Sequence, residues 1–455
     1  VTFLQGRTDD QLREDYPATE YGTALRLADE WAESLVWMEE IGKWLVRREG
    51  ESTWRVDSLV QRTEKAMITC LAQADLHAVV GLSRLHHMKN ALELAKPRLA
   101  VEAADFDQNP WMLNTPAGVI NLQTSELVPP AAVQARYRMS TRIAPKRMET
   151  PFWSAHLQRL CRGDVEILSF LKRLAGITLI GDQNLKPHLS PQLNGLGRNG
   201  KGVFLQGLGW ALGDYAQFAS TRLLTTTENA HTTEQAGLRG MRLVVVEEVK
   251  RINSSLLKDL TGGGVMRARR MRADDEEFLK SWTLWFNNNG PLMFAGDTSD
   301  GLWQRVPRID FGEGIPEVER IWDMSEKFKP EAPGVLQWML DGLVEYQELG
   351  EDLCIPEIVR QRTEERRLDA DPLRMFLNEM YEREEDGFVR GSEFTKNYSV
   401  WAKDREERTG GMRAVYDELR SRFGLKVKSG HENKTYIYGI KARQTTMSDL
   451  PGSWN

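Results

Sequence analysis

The stretch from Leu193 to Leu205, LNGLGRNGKGVFL, constrains this chain more than any other. Gly195, four residues, Gly200 and Lys201 set a phosphate-loop spacing. In such a loop the backbone N–H groups of a glycine-rich turn, and of the helix that follows, face an anionic phosphate chain. Lys201 would meet the β- and γ-phosphates, with Gly195, Gly197, Asn199, Gly200 and Gly202 as the cradle. The last position of the fingerprint ordinarily carries a Ser or Thr hydroxyl for magnesium, and here it is Gly202. The same glycines also read GxGxxG at Gly195, Gly197 and Gly200, a dinucleotide signature. The loop alone leaves ATP, a dinucleotide and a ligand-free turn all open.

Two downstream strands and an arginine-bearing segment after them narrow the choice. Arg242 to Glu248, RLVVVEE, is a β-branched run of the kind buried on both faces of a parallel sheet, and it ends in two carboxylates. Open α/β sheets hold ligands at that end of their strands, so one of Glu247 and Glu248 can hold Mg2+ through water while the other polarises an attacking water. This is a Walker B arrangement. Trp282 to Phe286 predicts another strand, followed by Asn287, Asn288 and Asn289; Asn288 is the expected sensor of the γ-phosphate and Asn289 a turn residue. Asp300 to Ile309 supplies Arg305 and Arg308, either of which can reach a neighbouring subunit's nucleotide or simply face solvent.

Between these two strands, Val265 to Arg272 carries four arginines, Arg267, Arg269, Arg270 and Arg272, ahead of Asp274 to Glu277. The pattern predicts a β-hairpin with a basic strand. It suits either the phosphate backbone of single-stranded DNA or cross-strand pairing of Arg with Glu on a solvated face. Near the C-terminus, helices followed by a basic hairpin over 425–438 suggest a winged helix, in which Lys426, Lys428 and Lys434 can touch phosphates.

The N-terminal region reads as mostly helical from Thr8 to Ala103. A small hairpin around Glu49-Gly50-Glu51 would place Trp44 and Trp54 opposite each other, for core packing rather than base stacking. His86 and His87 are adjacent on a helix and make a poor metal pair. Residues 106–122 read as a β-rich connector. The expected domains are 1–150 (helical, with that connector), 151–330 (nucleotide core), 331–370 (helical connector), 371–443 (winged helix) and 444–455 (tail).

Bulk properties set the outer bounds. A net charge of −6 over 455 residues excludes a protein that coats DNA with its whole surface, though not one with a basic channel. Three scattered cysteines, Cys70, Cys161 and Cys354, form neither a disulfide framework nor a zinc site. No run of about eighteen apolar residues and no leader are visible, which leads to an expectation of a cytoplasmic protein with no membrane partner. A start at Val1 leads to an expectation that the chain is a piece of something longer.

Taken together, these segments resemble the superfamily 3 helicases, most closely the phage, plasmid and poxvirus primase-helicase branch. The matching segments are FDQNPWMLNTPAGVINL (106–122), GLGRNGKGVF (195–204), RGMRLVVVEE (239–248), LKDLTGGG and the arginines after it (257–272), FNNNGP (286–291) and DGLWQRV (300–306). Their order removes the dinucleotide alternative. The resemblance implies an α/β fold, an AAA+ like P-loop ATPase core that hydrolyses ATP with Mg2+ and assembles as a homo-hexameric ring on single-stranded or forked DNA. It implies an upstream primase domain or primase partner as well, although residues 1–150 show no polymerase carboxylate set. Matched residue by residue, Lys201 is the phosphate lysine, Glu248 the catalytic acid with Glu247 beside it, Asn288 the sensor and Arg305 the arginine finger. The arginines of 267–272 fall on the hairpin that enters the pore. Gly202, Gly264 and Gln304 depart from the family pattern, so a weakly or non-hydrolysing DNA-binding loader ring stands as the alternative.

Overall fold

A computed structural model of the chain describes residues 15–57, 63, 65, 84–225, 232–249, 251–269, 275–290, 292–295, 300–312, 314–321, 323–369, 372–404, 411–429 and 434–443. Arg270, Arg272 and the expected tail, 444–455, lie outside these. The chain divides into two compact units, one of residues 1–297 with 304–360 and one of 361–455 with 298–303.

The first unit opens with helix α1 (Glu20–Trp31), strands β1 (Leu35–Met38), β2 (Lys43–Arg47) and β3 (Trp54–Val56), helix α2 (Leu85–Leu99) and strand β4 (Ala100–Val101). The strands form a sheet in the order β3-β2-β1-β4. The expected hairpin is β2–β3, but its two tryptophans do not face each other, because Arg47 and not Trp44 is the cross-strand partner of Trp54. Trp44 packs edge-on against Trp37 at 5.2 Å, and Trp54 against Phe106 at 6.4 Å. Both are buried, as core packing requires. On α2, His87 pairs with Glu20 of α1, which ties the two helices together.

Strands β5 (Met112–Thr115), β6 (Gly118–Asn121) and β7 (Leu127–Val128) form the β-rich connector as a small antiparallel sheet. It is fastened to the residues that lead into strands of the central parallel sheet by buried polar groups. The Arg242 guanidinium donates to the carbonyls of Pro110 at 2.8 Å and Met112 at 2.9 Å, and the Asn114 N–H donates to the Tyr215 hydroxyl at 3.3 Å. Residues 1–150 therefore share one compact unit with 151–297 and 304–330.

Helices α3 (Pro151–Leu160) and α4 (Val165–Ile177) precede strand β8 (Gln192–Asn194), helix α5 (Lys201–Leu212) and strand β9 (Ala216–Ala219). There follow strands β10 (Leu243–Glu247) and β11 (Arg251–Asn253), helix α6 (Ser254–Thr261), and strands β12 (Val265–Arg269), β13 (Asp275–Leu279), β14 (Thr283–Asn288), β15 (Met293–Ala295) and β16 (Arg308–Asp310). The central sheet runs β16-β8-β14-β10-β9 and every pairing in it is parallel. Its middle strands carry buried apolar runs, Leu243 to Val246 in β10 and Leu284 to Phe286 in β14, as a sheet covered on both faces demands, and both end in polar residues. β8 is short because Pro191 immediately before it has no N–H for the ladder; the Pro191 carbonyl still accepts from Phe286 at 2.9 Å.

Helix α7 (Ala332–Glu348) completes the core. Its Val335, Leu336, Met339 and Leu343 are buried in the same apolar cluster as α4 and α5. The crossing of α4 and α7 is close enough that a Cβ on Gly176 would collide with the backbone of Leu343, and one on Gly342 with the Lys172 carbonyl. Glycine at both places allows backbone to meet backbone. Among the described residues no helix is long and apolar enough to cross a membrane.

The second unit comprises helix α8 (Pro372–Met380), strand β17 (Tyr381–Arg390), helices α9 (Gly391–Asp404) and α10 (Met412–Ser421), and strands β18 (Lys426–Ser429) and β19 (Thr435–Ala442). The three strands pair in the order β17-β19-β18. Helices and sheet share a core built on Phe376, Phe394, Trp401, Leu419 and Ile437.

Candidate nucleotide site

The glycine loop leaves the carboxyl end of β8 and ends at the start of α5. Gly195 has φ +153° and Gly200 φ +96°, backbone that L side chains rarely adopt. Space is closed at both positions as well. A Cβ on Gly195 would lie 2.5 Å from Asn199 Nδ2, and one on Gly200 would lie 2.6 Å from the ring of His156. The outer side of the loop is held by the segment after β16. Asn199 Nδ2 donates to the Gly312 carbonyl at 3.2 Å, and the Ile315 N–H donates to the Arg198 carbonyl at 2.9 Å.

Lys201 is 2% exposed, and burial holds its ammonium below the ordinary lysine range, with the Glu248 carboxylate acting in the opposite sense. The ammonium donates to the Gly195 carbonyl at 3.0 Å, to Asn199 Oδ1 at 2.9 Å and to Asn289 Oδ1 at 3.1 Å. Asn289 Nδ2 in turn donates to Glu248 Oε1 at 2.5 Å. Lysine, amide and carboxylate thus form one line across the carboxyl ends of β8, β14 and β10, three adjacent strands. Glu248 sits at φ +55°, an uncommon conformation for a residue with a Cβ, and its N–H donates to the Asn287 carbonyl at 2.9 Å. Such backbone, held by surrounding bonds, is found at functional sites.

The middle asparagine is placed differently from the expectation. Asn288 is 2% exposed and turned away from the loop; its amide donates to the Val249 carbonyl at 2.7 Å and accepts from the Val249 N–H at 3.2 Å. Its flanking residues face the site instead. Alternation along a strand puts 287 and 289 on one side and 288 on the other. Asn287 Nδ2 donates to Glu247 Oε1 at 2.7 Å. Both groups lie beside Gly202, where an added Cβ would be 3.3 Å from Asn287 Nδ2 and 3.6 Å from Glu247 Oε1. The place of the expected Ser or Thr hydroxyl is therefore flanked by an amide and a carboxylate already bonded to each other.

Arg305 does not point at this chain's own loop. Its guanidinium donates to the Lys258 carbonyl at 3.2 Å and to Thr261 Oγ1 at 3.1 Å, and so caps the end of α6. Arg308 is closer to the site. It pairs with Asp310 at 2.8 Å on the wall of a cavity of about 420 Å³ that Gly195, Asn289, Arg162 and Phe311 also line. The cavity opens at the carboxyl ends of β8, β14 and β16, where open α/β sheets bind ligands. Sequence reading missed Asn287, Arg162 and His156. Strand alternation carried a signal for the first; the other two come from helix α3 and the loop after it, with no motif to mark them.

The described residues hold no group of three or more His, Cys, Asp or Glu side chains able to cage a metal. Two adjacent carboxylates, Glu247 and Glu248, are the donor set that fits Mg2+ bound chiefly through water and substrate phosphates.

The arginine-bearing hairpin is present as β12–β13, with Arg267 opposite Glu277 and Arg269 opposite Asp275. Arg267 pairs with Glu277 at 3.1 Å, so part of the basic strand is matched by its own partner strand. Arg269 is exposed. In the second unit Lys426, Lys428 and Lys434 are all exposed.

Comparison with known proteins adds the following. Residues 24–162 match the family model described as D5 N terminal like. Over 212 residues the chain is 27% identical to the "Putative helicase L207/L206" of Acanthamoeba polyphaga mimivirus, a match that covers 41% of this chain and 22% of that protein. The chain therefore spans under a quarter of that relative. Among solved structures, the apo structure of the NrS-1 C terminal region superposes with a TM-score of 0.51 at 10% identity, covering 92% of this chain and 99% of that one. Its A form gives 0.50 at 9% identity, covering 91% and 98%. At such identities the likeness is one of fold. Residues 24–162 are thus similar to the D5 N-terminal family, and nearly the whole chain shares its fold with the NrS-1 C-terminal region.

Proposed function

We propose that this chain is the motor part of an ATP-dependent DNA helicase used in replication of a phage or similar mobile element, with an AAA+ like core of the superfamily 3 type and a winged-helix-like second unit. The observation that carries the reading is the line Lys201–Asn289–Glu248 across three adjacent parallel strands. A phosphate-binding lysine and a carboxylate joined by one amide is an arrangement for sensing a terminal phosphate and activating water beside it. The mimivirus relative's name and the D5 N-terminal match support the same reading.

In this reading the backbone of Gly195 to Gly202 cradles the phosphates of ATP and Lys201 exchanges its bonds to the loop for phosphate oxygens. Glu248 takes the proton of the attacking water. Asn289, rather than Asn288, orients that water and reports the γ-phosphate. Glu247 and Glu248 would hold Mg2+, which when bound neutralises charge on the phosphates. Arg305 is assigned as the arginine delivered to a neighbouring subunit of a hexameric ring, a use that replaces its bonds to Lys258 and Thr261. Arg267 and Arg269, with Arg270 and Arg272 beyond the described residues, are assigned to single-stranded or forked DNA in the pore.

A second reading, a ring that binds nucleotide and DNA with little hydrolysis, is favoured by Gly202 and by the Asn287–Glu247 bond beside it. Unwinding of a forked duplex with ATP and Mg2+ decides between them. Wild type that unwinds, and Asn289→Ala that does not, supports the helicase. Wild type that binds the fork and ATP but turns over neither supports the loader ring.

A further inference from the structure

The exposed face of the β17-β19-β18 sheet carries an unusual set of side chains. Phe388 is opposite Tyr438, which is opposite Lys426; two residues along, Arg390 is opposite Tyr436, which is opposite Lys428. Cross-strand partners, and residues two apart, share a face. The burial pattern agrees: the intervening Val389, Val427 and Ile437 are buried against the helices. On the other side, Phe388 is 58% exposed and Tyr438 39%, and Arg390, Lys426 and Lys428 are exposed. The face is a lattice of three aromatic rings and three cations.

We propose that this face is a stacking platform for single-stranded DNA. Exposed aromatic rings on an antiparallel sheet with cations between them offer bases a π-surface and phosphates a counter-charge. The ring centroids are 5.9, 6.2 and 6.4 Å apart and their planes meet at 42–69°, so the rings do not use up their faces on one another. That spacing exceeds the rise of about 3.4 Å between stacked bases of a duplex strand. A strand must be unstacked before its bases can reach the rings, which selects single strands over duplex. Charge bounds the site. The acids of β17 fall outside the regular ladder of this face: Glu384, Glu385 and Asp386 lie in the irregular stretch between Arg383 and Phe388, and Lys441 pairs with Glu382 at 3.1 Å and Glu384 at 3.0 Å. The choice of DNA over RNA rests on the replication function proposed above; the stacking geometry does not.

The test is fluorescence anisotropy of a 5′-labelled oligothymidine of about twenty nucleotides with the full chain and no nucleotide, repeated in a Lys201→Ala background so that failure of the ATPase assignment leaves it readable. Phe388→Ala with Tyr438→Ala is expected to weaken binding about tenfold or more, while Phe388→Tyr and Tyr438→Phe bind as wild type. Lys426→Ala with Lys428→Ala should lower the salt slope by about 1.4, two single-strand phosphate contacts. An oligonucleotide carrying 5-iododeoxyuridine should crosslink at Tyr436, Tyr438 or Phe388. Unchanged binding by the double alanine variant at wild-type melting temperature overturns the proposal. So does an equal loss for a duplex of the same length, or tighter ring-dependent binding of oligouridine, which would assign the face to RNA.

Discussion

Asn289 accepts from the Lys201 ammonium at 3.1 Å with one end of its amide and donates to Glu248 at 2.5 Å with the other. A side chain that touches both the lysine and the carboxylate can make one respond to the other. Replacing Asn289 by Ala should lower ATP turnover about 100- to 1000-fold, in the range of an orienting or general-base contribution, with ATP affinity changed far less. Asn288→Ala should leave turnover nearly unchanged. It removes a buried amide that bonds Val249 twice, so it should cost about 1–3 kcal/mol of stability, read in a melting curve. Equal kinetic losses from both would contradict the assignment.

Gly202 stands where a hydroxyl would face Glu247. Gly202→Ser is sterically admissible if Asn287 yields by a few tenths of an ångström, since its nearest atom would be 3.3 Å from the new Cβ. The expected outcome is a lower Mg2+ concentration for half-maximal ATPase, measured by magnesium titration. A raised requirement would mean that the Asn287–Glu247 bond itself is the metal-positioning device.

His156 lies beneath the loop, against Gly200, and burial pushes its imidazole down to about 4. A folded-state value below the unfolded value of about 6.5 makes the neutral ring part of the native state. Its contribution is present above pH 6.5 and is lost as pH falls towards 4, amounting to about 3 kcal/mol at most. Asp107 acts in the opposite direction, since burial pushes its carboxyl up to about 6 and favours the folded state as pH falls through that value. Comparing wild type with His156→Gln cancels the Asp107 term. The stability difference between them should shrink from pH 7 to pH 4 in denaturant melts, and a constant difference would contradict the burial argument.

The close crossing of α4 and α7 depends on Gly176 and Gly342. Gly342→Val should cost about 3 kcal/mol or more, because the added methyls must displace backbone rather than a flexible side chain, and this is beyond ordinary overpacking. Gly350→Ala is a different kind of control: no neighbour lies within 4 Å of an added Cβ there, though φ +72° adds strain. Its cost should be the smaller, about 1–2 kcal/mol.

Much of this site was legible because its signals are local. The loop spacing around Lys201 and the β-branched run of β10 need only neighbouring residues to be read, and both took the expected form. The asparagines show where local reading went astray. Strand alternation already implied that Asn288 and Asn289 face opposite ways, and the loop-facing one was settled by the pairing of β14 with β8 and β10, a long-range register. Contacts such as Ile315 to Arg198 or His156 to Gly200 join segments whose sequences carry no shared period. Trp54 likewise found Phe106 and not Trp44, because the turn length shifted the β2–β3 register.

The most direct test of the account is ATP hydrolysis by Glu248→Gln with Mg2+ and single-stranded DNA. Glutamine keeps an oxygen acceptor for Asn289 but has no carboxylate to take a proton. ATP should bind as in wild type, with turnover reduced about 100-fold or more. Wild-type turnover in Glu248→Gln, or no DNA-stimulated ATPase in wild type, would contradict it.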